Sequence, residues 1–184
     1  MDDWDSALID GLAQKRRVII WENPGIGASS GPAPDSVKDM AHLAEGFLDA
    51  LSLSSVDILG YSIGGSVAQQ LVADRPDLVR KMVLVGAGPQ GGDGIKDLPT
   101  VIADAVKQAE ELKISRKVVL FFTTTDAGLA AGNSFLKRIN NHVVDPEPQP
   151  SQAAIAAQAK ALVTWGNCRR ISGNWSRLNS PCSS

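Results

Sequence analysis

Apolar residues recur along this chain with two different periods. Across 36–51 the positions Val37, Met40, Leu43, Ala44, Phe47, Leu48 and Leu51 fall on one side of a 3.6-residue helix, with Asp35 or Ser36 placed to cap it. Leu8, Ile9 and Leu12 predict a shorter helix within 5–13, and 64–74 reads as a helix that ends ahead of Pro76. Three compact runs read instead as strands of a buried parallel sheet: Val18-Ile19-Ile20-Trp21, Val56-Asp57-Ile58-Leu59 and Lys81-Met82-Val83-Leu84-Val85. Strand, helix, strand, helix, strand in that rhythm implies right-handed crossovers, hence an α/β fold with a parallel-sheet core of about three strands. After Gly91-Gly92-Asp93-Gly94 the pattern turns helical, over 98–112, 115–122, 126–140 and 151–165. Breaks fall at Thr123-Thr124-Thr125 and Pro146-Glu147-Pro148-Gln149-Pro150. Val118–Phe122 has strand propensity too; helix is the expectation. The predicted organisation is a core over 1–90, a helical region over 91–166, and a poorly ordered polar tail over 167–184.

The junction between the second strand and its helix carries the chemistry. There stands Gly60-Tyr61-Ser62-Ile63-Gly64-Gly65, which contains the Gly-x-Ser-x-Gly spacing of a nucleophile elbow. A serine held at so abrupt a turn needs a strained, positive-φ backbone. Its neighbours two residues either way are expected to come close and to lack bulk, which glycine provides. The hydroxyl of Ser62 would leave the carboxyl end of the strand, where the first helix amides and the helix dipole favour an oxyanion. The same five positions also occur in plain glycine-rich turns; the apolar strand before and the amphipathic helix after are what separate the two readings. The loop Glu22-Asn23-Pro24-Gly25-Ile26-Gly27-Ala28-Ser29-Ser30-Gly31 lacks the third glycine and following helix of a dinucleotide fingerprint.

Composition narrows the classes. Apolar residues make up 43% of 184, enough for a compact domain plus an insertion, and the net charge is −2. Basic residues sit in short clusters (Lys15-Arg16-Arg17, Arg80-Lys81, Arg169-Arg170), which gives no support to nucleic-acid binding. The two cysteines, Cys168 and Cys182, form no metal-ligand pattern. The acidic start lacks the regions of a signal peptide, and no run approaches membrane-spanning length. The expectation is a cytoplasmic protein without a membrane partner, metal or cofactor.

The segments Glu22–Ser30, Leu59–Gly65 and Arg75-Pro76-Asp77-Leu78-Val79 together make the chain resemble the α/β-hydrolase superfamily, in its small cap-bearing esterase, lactonase and haloperoxidase-like branch. The resemblance implies Ser62 as nucleophile, the Ile63 backbone N–H as an oxyanion donor, and a helical cap over 91–166. It implies a small carboxylic ester or lactone as substrate and no cofactor. Tyr61, Phe121, Phe122 and Trp165 are candidates to line the substrate pocket, as are Leu129 and Phe135; each is equally able to pack the cap.

Departures from the pattern bear on activity. Relatives carry an oxyanion loop and strands ahead of the segment matching Met1, and an acid and a histidine after the cap, so a chain truncated at both ends is expected. A serine hydroxyl needs a base within hydrogen-bond reach. The chain has two histidines, His42 and His142. His42 reads as a surface or packing residue, and only His142 follows Ser62 in chain order. A substitute triad of Ser62, His142 and Asp93 is conceivable, although Asp93 between glycines is more simply a turn residue. The competing reading is a non-catalytic fragment or binding protein that keeps the elbow by descent. A strand missing between Val18–Trp21 and Val56–Leu59 would also leave those two either newly paired or unpaired.

Overall fold

The computed structural model describes residues 4–141 and 147–168. In chain order its elements are α1 (Ser6–Ala13), α2 (Val37–Ala50), β1 (Val56–Tyr61), α3 (Ile63–Asp74), β2 (Val79–Val85), a single 3-10 turn at Ile95–Asp97, α4 (Leu98–Leu112), α5 (Arg116–Phe121), α6 (Asp126–Asn141) and α7 (Gln152–Asn167). They divide into two compact units. One joins Asn23–Pro99 to the chain from Pro150; the other joins the chain up to Glu22 to Thr100–Gln149.

In the first unit β1 and β2 pair in parallel, with Asp57 opposite Lys81 and Tyr61 opposite Val85. A parallel pair needs a crossover, and α3 supplies it while packing on both strands. α2 packs against α3 in turn, and its buried stripe of Val37, Met40, Ala41 and Ala44 is the face the apolar period predicts. The helix begins at Ser36, whose hydroxyl accepts the Asp39 N–H at 3.0 Å, satisfying an amide that the first turn otherwise leaves open. α7 lies on α2, α3 and the 3-10 turn, burying Ala154, Ala161, Leu162 and Trp165. Its close approach depends on Gly166, where a Cβ would stand 2.5 Å from the Lys96 nitrogen.

The second unit is helical. α5 packs on α6 through Val118 and Gly132, the latter with room for no larger residue without displacing Val118 and Phe122. α1 touches α6, and Arg138 donates to both carboxylate oxygens of Asp5, to Oδ2 at 2.7 Å and to Oδ1 at 3.1 Å. The helix expected over 115–122 is confirmed, capped by Ser115. The strand expected at Val18–Trp21 is a correction: these residues lie outside the sheet, which among the described residues has two strands and not three. A strand is stabilised by the neighbour it pairs with, and β-branched composition alone does not create one. Asn167 closes α7, and the rest of the predicted tail lies outside the described residues. Among the described residues no helix is long and apolar enough to cross a membrane.

Candidate active site

β1 ends at Tyr61 and α3 begins at Ile63, so a single residue makes the turn. That residue is Ser62, with φ 53° and ψ −124°. For a residue with a side chain this left-handed backbone costs on the order of 1–3 kcal/mol and survives only where the surroundings fix it. Two hydrogen bonds do so: the Ser62 N–H donates to the Val85 carbonyl at 2.9 Å, and the Gly65 N–H donates to the Ser62 carbonyl at 2.9 Å. The first bond continues the β1–β2 ladder into the turn. The serine therefore stands at the carboxyl ends of both strands.

The glycines divide the work differently from the symmetrical expectation. A Cβ on Gly60 would lie 2.6 Å from the Gly64 carbonyl oxygen and 2.7 Å from the Gly65 Cα. A Cβ on Gly65 would collide with the Ala87 side chain. A Cβ on Gly64 would meet nothing within 4 Å. Only the glycine on the strand side of Ser62 is forced by crowding; on the helix side the crowded position is Gly65.

The Ser62 side chain makes no capping hydrogen bond, which leaves its oxygen available. Ile63 opens α3, and its N–H donates to no backbone carbonyl among the described residues. The open Ile63 amide beside a half-buried serine forms an anion-receptive corner.

The candidate bases and acids fall elsewhere. His42 is 83% exposed, and its Nδ1 lies 3.6 Å from Glu45. Glu45 in turn accepts from Arg75 at 2.7 Å, and Arg75 also faces Asp49 and Asp77 at 3.6 and 3.5 Å. The hydrogen bond from Arg75 holds the Glu45 carboxyl below its ordinary range, and the same bond raises Arg75. Arg75 follows the last residue of α3, a helix of 12 residues. At 1.5 Å per residue this cluster stands about 18 Å from Ser62, beyond a Debye length at physiological salt. His42 is thereby a surface histidine. Asp93 is exposed in the turn between Gly92 and Gly94, and no hydrogen bond joins it to Ser62. His142 lies outside the described residues.

Of the candidate lining residues, Tyr61 and Trp165 belong to the same unit as Ser62. Tyr61 is exposed, and Trp165 is buried on α7 with its indole N–H donating to no described residue. Phe121 and Phe122 belong to the helical unit, where Phe121 is exposed and Phe122 tilts against Phe135 with ring centroids 5.7 Å apart. An open hollow of about 580 Å³ lies between the loop before α2 and α7, walled by Pro32, Ala33, Ala153, Ala156 and Ala157, with Lys160 paired to Asp35 at its edge. No residue of the 60–65 turn borders it. One residue that sequence reasoning passed over is Gln69, buried on the helix that leaves the turn; its signal was the pair of amides inside the run Val67-Ala68-Gln69-Gln70-Leu71.

Comparison with known proteins bears on the fold. Residues 1–167 match the family described as alpha/beta hydrolase fold. A solved structure of an alpha/beta hydrolase fold protein from Chitinophaga pinensis is 34% identical, superposes with a TM-score of 0.82, and is matched over 90% of this chain and 59% of its own. Homoserine O-acetyltransferase of Deinococcus radiodurans is 35% identical over 94 residues, 50% of this chain and 28% of that protein. A 2-hydroxy-6-oxononadienedioate/2-hydroxy-6-oxononatrienedioate hydrolase of a Pseudomonas species is 33% identical over 86 residues, 46% of this chain and 30% of that protein. The matched segments thus span under a third of these two curated relatives.

Proposed function

The chain belongs to the α/β hydrolase fold family, and from that premise we propose that it carries the nucleophile half of a serine hydrolase acting on small carboxylic esters or lactones. The observation that carries the proposal is the strained Ser62, with its hydroxyl uncapped and the Ile63 N–H beside it. The Ser62 Oγ attacks the ester carbonyl carbon while its proton passes to a base, and the carbonyl oxygen becomes an oxyanion stabilised by the Ile63 amide. The tetrahedral adduct collapses, the alcohol leaves with a proton, and water then releases the acid from the acyl-serine. Of the helices expected to form a cap, α7 belongs to the unit of Ser62, where it packs on α2 and α3. Tyr61, exposed beside Ser62 in the same unit, supplies apolar lining.

The base is the open step. His142, with Asp93 as acid, is the arrangement the chain's own residues offer, since His42 is tied to the far end of α3. A specific observation favours a second reading, a binding protein without turnover: among the described residues no imidazole is hydrogen-bonded to Ser62. One experiment separates them. The full chain is exposed to a fluorophosphonate probe and assayed with a p-nitrophenyl ester, beside Ser62→Ala and His142→Ala. Labelling that Ser62→Ala abolishes, with turnover lost in His142→Ala, supports the hydrolase and its substitute triad. Folded protein that takes no label leaves the binding reading.

A further inference from the structure

Three successive residues after β2 each meet the turn at a different point. A Cβ on Gly86 would sit 3.7 Å from the Tyr61 ring. The Ala87 methyl fills the space that a side chain on Gly65 would need. The Gly88 carbonyl accepts a hydrogen bond from Gln69 Nε2 at 3.0 Å, and the same nitrogen donates to the Gly65 carbonyl at 3.1 Å. Tyr61, Gly65 and Gln69 are four residues apart, so the last two share one face of α3, and the loop runs along it. Both hydrogens of the Gln69 amide are used, and the residue is 2% exposed. An apolar side chain here would bury with no desolvation cost, whereas this amide is tolerable only because both donors are matched.

We propose that Gln69 is a positioning residue for Ser62: it clamps the loop at 86–88 to the first turn of α3 and so prevents the strained serine from relaxing. The inference rests on the reading of Ser62 as nucleophile. The mechanical link is short. Ser62 hangs from Val85 through its N–H, and Val85 is followed at once by the clamped loop. If the loop swings away, the Val85 carbonyl moves with it, and the left-handed turn loses the contact that over-determines it.

The test is amide hydrogen exchange on the full chain, read residue by residue for Gln69→Leu, which keeps bulk and removes both donors. Exchange protection at Ser62 and Gly65 is expected to fall about tenfold, the scale of two net hydrogen bonds, while the α2 amides keep theirs. The rate of fluorophosphonate labelling at Ser62 falls with it. Unchanged protection at Ser62 in folded Gln69→Leu overturns the clamp, and so does an equal loss in α2, which marks plain destabilisation. Should Gln69→Leu not fold, Ala87→Gly cuts the middle contact without stranding a polar group. It is expected to lower Ser62 protection about threefold, a local loosening, and no change there overturns the clamp. Wild-type protein that takes no label defeats the nucleophile reading, while the exchange pattern still decides the clamp.

Discussion

At the scale of single residues, the two glycines flanking Ser62 are chemically identical and physically different. Gly60 has the Gly64 oxygen and Gly65 Cα where its Cβ would be, and both are backbone, which yields only by moving the turn. Gly60→Ala is therefore expected to lose on the order of 2–3 kcal/mol, the range for overpacking a rigid site. Gly64 sits in the first turn of α3 with open space around it, so Gly64→Ala is expected to be neutral or to gain up to about 1 kcal/mol from helix propensity. Denaturant unfolding of the two variants side by side checks the asymmetry; equal losses would contradict it. The spacing Gly-x-Ser-x-Gly located the turn from sequence, because three small residues around a serine between strand and helix leave few alternatives. It did not tell which glycine is sterically required. That depends on where Gly64 and Gly65 fold back to, information carried by the strand–helix angle.

At the scale of elements, helices were legible and the sheet was only partly so, for a physical reason. A helix closes its hydrogen bonds within its own segment, so the caps at Ser36, Ser115 and Ser151 and the apolar period of 36–51 carry most of what defines it. A strand closes its bonds on another segment. Val56–Tyr61 and Val79–Val85 found each other; Val18–Trp21, with equal propensity, forms no strand. The candidate bases and acids were the least legible part, since chain order places His42 and Asp93 relative to Ser62 only in sequence. Beside the apolar packing of α2 on α3, the Arg75–Glu45 bond ties the end of the elbow helix to α2, and it makes a pH prediction. The Glu45 carboxyl is held below its ordinary range in the folded chain, so its contribution is full above the ordinary carboxylate pKa of about 4.3 and fades as pH falls through the lower folded value. Arg75→Met is expected to lower the melting temperature near neutral pH, with the gap from wild type narrowing under acid. A gap independent of pH would place the effect in packing of the arginine stem instead.

At the scale of the whole molecule, the sheet is only partly covered by what surrounds it. α3 packs on the strands, yet Val83, Leu84, Val85 and Tyr61 remain exposed, Val83 at 53%. Each strand also keeps one ladder edge that the other does not use, because among the described residues the sheet has two strands. Apolar side chains along an open edge are the combination that favours strand-to-strand association between molecules. Val83→Lys places a charge on the exposed strip, at a position where surface substitutions usually change stability by no more than about 0.5 kcal/mol. The expected outcome is a lower apparent mass in light scattering at high protein concentration, with an unchanged unfolding midpoint. Association that persists in Val83→Lys would move the sticky surface away from β2. A midpoint that falls would mean Val83 is more deeply packed in solution than its exposure implies, and the sheet better protected.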